Sequence, residues 1–189
     1  MTATGRMLLI SGPSGTGKST ICRRLLEDDR VVFSISATTR QPRPGEVNGV
    51  HYHFLSREEF RAKIKEGAFL EYADVYGNLY GTLRAPMDEA IAKGLIYLVE
   101  IDVQGALQLL TLGVDGLYIF IAPPDPGTLR ERLSGRGTET PEVLERRLQK
   151  AEDESRESHR YDHIVVNDDL ERALQEVRTL VGLNGSPAS

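Results

Sequence analysis

The stretch MLLISGPSGTGKS, residues 7–19, constrains the fold of this 189-residue chain more than any other. An apolar run breaks at Gly12 into a loop with three glycines, Gly12, Gly15 and Gly17, and Lys18, Ser19 and Thr20 follow. The spacing G-x-x-x-x-G-K-[ST] suits a loop whose backbone N–H groups turn inward around phosphate oxygens, where side chains would clash. A helix beginning near Lys18 adds its positive dipole end. On this pattern Gly12, Pro13, Ser14, Gly15, Thr16, Gly17, Lys18, Ser19 and Thr20 cradle the phosphates of a nucleotide. Lys18 reaches the β- and γ-phosphates, and the Ser19 hydroxyl helps hold Mg²⁺. A motor, a switch and a kinase all use such a loop, so the rest of the chain must choose among them.

The net charge of −5 speaks against a general basic surface for nucleic acid. The positive charge is locally clustered all the same, at Arg40 and Arg43 and again at Arg130, Arg132, Arg136, Arg146 and Arg147. Such clusters suit small phosphate ligands. The single cysteine, Cys22, excludes an internal disulfide and reads as a small buried hydrophobe in the helix after the loop. No apolar run reaches the length of a membrane span and no signal-peptide core opens the chain, so the expectation is a cytoplasmic protein.

Apolar runs at 7–11, 31–36, 95–102, 117–122 and 163–167 predict strands, nearly continuous in apolar residues as strands covered on both faces are. Helical patterns at 19–26, 85–93, 104–112, 127–133 and 169–181 alternate with them, which argues for a parallel sheet with helices on both sides. Two segments interrupt the alternation. Within 37–83, Ser56 and Glu59 form a capping box, with Leu55 and Phe60 as its hydrophobic staple, and the short helix closes at Gly67 between antiparallel strands. The second segment, 124–160, is highly charged. Thr140 and Pro141 start its second helix, whose apolar stripe is only Val143, Leu144, Leu148 and Ala151, a thin core for a hairpin that can swing.

Chemistry-bearing residues fall at suggestive places. Arg40 and Arg43 frame a proline-stiffened loop and can close on one phosphate. Glu100 and Asp102 are expected on one face at the carboxyl end of a strand, where ligands bind in open α/β sheets. There an acid acts on Mg²⁺, through water, or on a substrate. His51 and His53, and His159 and His163, have no evident third ligand and take ordinary surface or packing roles.

Assembled, these pieces resemble guanylate kinases over nearly the whole chain, through GPSGTGKST, SATTRQPRPGEVNGVHYHF, EYADVYGNLYGT, EIDVQG, GRGTETPEVLERRL and VVNDDL. The resemblance implies an α/β fold of P-loop NTPase type, a parallel sheet flanked by helices, in one domain over 4–184. Its core would be 4–36, 84–123 and 161–184, with an inserted small mixed β region for GMP at 37–83, a helical lid at 124–160 and a frayed tail at 185–189. It implies phosphoryl transfer from ATP to GMP with Mg²⁺, nucleotides as the partners, and neither nucleic acid nor membrane. Carried over by position, Arg40, Arg43, Tyr52 and Tyr80 hold the GMP phosphate, and Ser36, Glu71, Thr82 and Asp102 read guanine. Arg136 and Arg147 come from the lid onto the transferring phosphoryl group, making a catalytic set with Lys18 and Arg40. Asn167 lies near the ATP adenine, and Ser19 holds Mg²⁺ with Glu100 or Asp102 behind water.

Guanine offers O6 as an acceptor and N1–H and the 2-amino group as donors, so carboxylates at Glu71 and Asp102 and hydroxyls at Ser36 and Thr82 suit it. Thr82 stands where serine is expected in some relatives and Glu100 where aspartate also occurs, and both keep the chemistry. The rival reading is a protein-interaction module of the same fold that has lost the loop. Here Lys18, Ser19, Arg136 and Arg147 are all present. A switch GTPase would carry a guanine-reading N-K-x-D motif, and the chain has none.

Overall fold

A computed structural model describes residues 5–75, 77–134 and 140–184. Its centre is a five-stranded, all-parallel sheet of β1 (Arg6–Ser11), β2 (Val31–Phe33), β7 (Ile96–Glu100), β8 (Leu117–Ala122) and β9 (His163–Val166), in the order β2-β7-β1-β8-β9. Successive residues of a strand point to opposite faces. The continuous apolar run of β1 therefore feeds two cores. Leu8 and Ile10 join Leu98, Ile119 and Ile121 on one face, under α1 (Lys18–Leu25) and α7 (Leu170–Val181). Met7 and Leu9 join Val99, Tyr118 and Phe120 on the other, under α3 (Arg84–Ala92) and α4 (Val103–Thr111). Each fully buried aliphatic or aromatic side chain contributes about 1.5–3 kcal/mol, so this two-faced sheet is the rigid part of the molecule. Cys22 lies buried in the first of these cores, as expected.

Residues 37–83 build a second sheet, in the order β4-β3-β6-β5, from β3 (Ala37–Thr38), β4 (His53–Phe54), β5 (Phe69–Val75) and β6 (Asn78–Leu83). The helix α2 (Arg57–Lys65) covers it. Its capping box is present in full: Ser56 Oγ accepts from the Glu59 amide and the Glu59 carboxylate accepts from the Ser56 amide. Phe60 is fully buried against Phe69, with ring centroids 4.3 Å apart, and Leu55 packs on the same cluster. The expectation of antiparallel strands holds for β3–β6 and β5–β6, but β3 and β4 run parallel because the long loop between them returns the chain to the starting edge.

A helical hairpin follows β8, made of α5 (Pro126–Ser134) and α6 (Pro141–Arg156), and a 3-10 turn at Glu157–Arg160 leads to β9. Its core is as thin as expected: Leu129, Leu133 and Ala151, with Leu144 and Leu148 against them. Thr140 precedes Pro141 at the start of α6, yet its side chain makes no capping hydrogen bond.

Two strands end earlier than the apolar pattern suggests. β2 stops at Phe33, and β7 stops at Glu100. Asp102 is thus not on the strand beside Glu100. It is the N-cap of α4, where its carboxylate accepts from the Gly105 amide at 2.9 Å. An acid that satisfies an orphan helix amide turns the chain out of the sheet, and alternation alone cannot reveal that. No helix of the described residues is long and apolar enough to cross a membrane.

Candidate active site

The phosphate loop sits at the carboxyl end of β1, the middle strand of the large sheet. Gly12, Gly15 and Gly17 all have positive φ, at 138°, 86° and 89°. A Cβ on Gly12 would come within 2.3 Å of the Ile121 carbonyl oxygen, and one on Gly17 within 2.4 Å of Asn167 Nδ2. Backbone conformation and space both demand glycine there. α1 then starts after Gly17 with no side-chain cap and no acid in its first turn, so its amide end is left to an anion.

Around the loop the side chains are already organised. Thr16 Oγ1 donates to the Pro13 carbonyl at 2.9 Å. Lys18 Nζ donates to the Gly12 and Pro13 carbonyls at 2.6 and 2.7 Å, which folds the ammonium back over the loop. Burial pulls the Lys18 pKa below the ordinary lysine range, and the Glu100 carboxylate opposes that shift. Ser19 Oγ donates to Glu100 Oε1 at 2.6 Å. Of the two acids expected near a cation, Glu100 is the one joined to Ser19, while Asp102 caps α4. The hairpin touches the loop as well: Arg147 Nη2 donates to Ser14 Oγ at 2.8 Å, and a Cβ on Gly15 would meet Leu133 Cδ2 at 2.8 Å.

Asn167, expected near adenine, is buried, and its amide donates to the Thr16 carbonyl at 2.7 Å. It therefore also braces the loop. Arg132 of α5, one of the clustered arginines, donates to the Asn167 carbonyl at 3.0 Å.

A cleft of about 670 Å³ runs from this loop toward the small sheet, past Lys18 and Glu100 to Asp102, Ser36 and Tyr52. Arg40 lies beside Tyr52, which lines the cleft, and is held in place there. Its two terminal nitrogens donate to the two Glu46 oxygens at 2.9 and 2.8 Å, and one also donates to the Gln41 carbonyl at 2.8 Å. The guanidinium lies 5.4 Å from the Tyr52 ring centroid and 5.8 Å from that of Phe54. Tyr80 meets Tyr52 edge to face, with centroids 6.1 Å apart. Glu46 accepts from the Arg43 amide at 2.7 Å as well, while the Arg43 side chain stays exposed. The Arg40 guanidinium holds the Glu46 carboxyl at about 2, well below the usual carboxylate range. Glu46 is thus a positioning group that the sequence reading passed over, although it closes the RQPRPGE stretch.

Glu71 and Thr82 face each other across β5 and β6, and Thr82 Oγ1 donates to Glu71 Oε1 at 2.7 Å. The strand register shifts between Phe69 and Glu71, and the Glu71 carboxylate is buried. Its second oxygen and Asp102 Oδ1 both lie near Gly105, at 3.6 and 3.5 Å from where a Cβ would stand. Burial pushes the Glu71 pKa up, and the Asp102 charge adds to that. The Thr82 hydroxyl, expected to serve O6 of a guanine, directs its proton to the Glu71 carboxylate in this structure. Arg136 lies outside the described residues. His51 Nδ1 accepts from the Val47 amide at 3.0 Å, and the residue also lines the cleft.

A sequence model described as guanylate kinase matches residues 4–183. A protein of Clostridium perfringens strain 13 named guanylate kinase is 47% identical over 178 residues, 94% of this chain and 82% of the relative. One of Thermus thermophilus with the same name is 47% identical over 172 residues, 91% and 78% of the two chains. The crystal structure of guanylate kinase from Anaplasma phagocytophilum superposes with a TM-score of 0.73 at 32% identity, over 98% of this chain and 89% of that one.

Proposed function

The chain belongs to the guanylate kinase family and phosphorylates GMP with ATP, and we propose that it does so with the loop, acceptor pocket and hairpin described above. The domain reads as a core of 4–36, 84–123 and 161–184, a GMP-binding region at 37–83 and a lid at 124–160. The observation that carries the assignment is a continuous cleft that joins Lys18, Ser14 and Glu100 at one end to Ser36, Tyr52 and Asp102 at the other.

ATP phosphates lie along residues 12–20, with Lys18 leaving its two carbonyl partners for the β- and γ-phosphates. Asn167 marks the adenine side. The GMP phosphate takes the remaining donors of Arg40, which Glu46 holds in place, together with Arg43, Tyr52 and Tyr80. Guanine donates from N1–H and the 2-amino group to Glu71 and Asp102, and Ser36 serves O6. Thr82 orients Glu71.

The hydroxyl and carboxylate oxygens of Ser19 and Glu100, 2.6 Å apart, fit Mg²⁺, a hard ion that takes oxygen ligands and keeps several waters. Bound there, Mg²⁺ supplies charge neutralisation at the β- and γ-phosphates.

The attacking phosphate oxygen of GMP is already ionised, so no general base is required. Catalysis is positioning plus electrostatic stabilisation by Lys18, Arg40, Arg136 and Arg147. Closure of the hairpin keeps water from taking the phosphoryl group. The test is a coupled assay of ADP and GDP formation with Lys18→Ala. The expected kcat falls by about 10²-fold or more at an unchanged melting temperature. A variant that keeps more than about a tenth of wild-type kcat, a loss under about 1.4 kcal/mol, overturns the role of the loop.

A further inference from the structure

Three side chains of α6 line the active-site cleft: Arg147, Lys150 and Glu154. Their spacing of three and four residues places them on one stripe of the helix. Arg147 is accounted for by its bond to Ser14. Lys150 and Glu154 have no part in the mechanism above, and the sequence reading singled out neither.

Glu154 is only 9% exposed, a carboxylate buried at the wall of a cleft built for polyanions. Its Oε1 lies 3.5 Å from Lys150 Nζ, and the Lys150 side chain is 65% exposed. An ordinary surface pair on a helix leaves both partners in water, and burying one charge works against it. The order is also the poorer one for helix stability, since an acid four residues before a lysine is favoured over the reverse. Neither packing nor helix propensity explains this pair. Burial pushes the Glu154 pKa up, and the Lys150 ammonium is the largest influence that draws it back, with Lys18 adding to that. The geometry is that of a loose tether. A 3.5 Å pair holds the ammonium near the cleft and leaves its donors for a stronger acceptor.

We propose that Lys150 is a further phosphate-contacting residue of the lid, and that Glu154 is the positioning residue that aims its ammonium over the gap between donor and acceptor. The substrates that meet in this cleft are both highly anionic. A lysine on the hairpin adds positive charge just where the hairpin covers them, one turn along from Arg147. This inference rests on the reading of the hairpin as a lid.

The experiment is steady-state kinetics on the full chain with Lys150→Met, Lys150→Arg, Glu154→Gln and the Lys150→Met/Glu154→Gln double variant, each beside a thermal melt. Lys150→Met should lower kcat about tenfold with less than a threefold change in the GMP KM, the split of an interaction made mainly in the transition state. Lys150→Arg should restore most of kcat. Glu154→Gln should give a smaller loss of the same kind, with the melt unchanged or raised. The double variant should be no worse than Lys150→Met, because the tether acts only through the lysine. A Lys150→Met kcat within twofold of wild type overturns the proposal, and so does a double variant whose loss is the product of the two single losses. Should Glu154→Gln fail to fold, the Met and Arg variants of Lys150 decide alone. Lys18→Ala keeps the failures apart: if it abolishes turnover while Lys150→Met has no effect, only this inference is wrong.

Discussion

Glu71 is a buried carboxylate whose raised pKa says that its ionised form is disfavoured in the ligand-free fold. A carboxyl raised above its unfolded value of 4.5 lowers stability once pH rises through that value. Removing the charge therefore relieves the fold, and the melt of Glu71→Gln at pH 7 should be unchanged or higher. Function should move the other way. The amide turns an NH₂ donor toward guanine donors and leaves buried groups unpaired, at about 1–3 kcal/mol. We expect at least a tenfold loss in kcat/KM for GMP, with AMP, lacking both donors, changing much less. Equal losses for the two nucleotides, or a melt lowered by many degrees, would make Glu71 structural. The identity of this residue was legible only through the resemblance of EYADVYGNLYGT to one family. What stayed hidden is that Thr82 is the partner to which the Glu71 carboxylate is bonded, because the pairing of the two depends on a strand register that no local pattern announces.

The hairpin α5–α6 is the element with the least apolar support. Its small core is separate from the cores of the large sheet, and Arg147 reaches across to Ser14. Arg147→Ala should lower kcat far more than it raises the GMP KM; a mainly KM effect would remove Arg147 from the transferring phosphoryl group. Backbone amides of α6 should exchange with solvent more slowly when ATP-analogue and GMP are bound together. Unchanged exchange counts against closure. Elements with strong local signals were legible beforehand: β1 from its apolar run, α2 from its capping box, and the thin stripe of α6 from its spacing. The ends of β2 and β7 were not. Apolar residues continue past both strands, and Asp102 could have stayed extended or capped a helix with equal local logic.

At the scale of the whole molecule, one tie between helices should contribute to the acid limb of stability. Asp28, after α1, pairs with Arg30 at 2.8 Å and with Arg178 of α7 at 3.1 Å, so it joins two helices on one face of the sheet. The Arg30 guanidinium holds its carboxyl at about 2, against an ordinary 3.8. That stability is fully present above 3.8 and is lost as pH falls through about 2. Asp28→Asn should destabilise the protein at pH 7 by on the order of 1 kcal/mol, allowing for solvent screening, and the difference from wild type should vanish near pH 2. Denaturant melts of both proteins at several pH values measure this, and a gap that persists in acid would assign the effect to something other than ionisation. The strand order has a separate consequence. β1 stands in the middle of the sheet, with β7 and β2 on one side and β8 and β9 on the other. Asn167 follows β9, whereas Ser36 follows β2. The proposed half-sites for the two nucleotides thus hang from opposite sides of one strand. On that proposed layout neither substrate should have to pass the other, and initial-rate kinetics should show no compulsory order of addition.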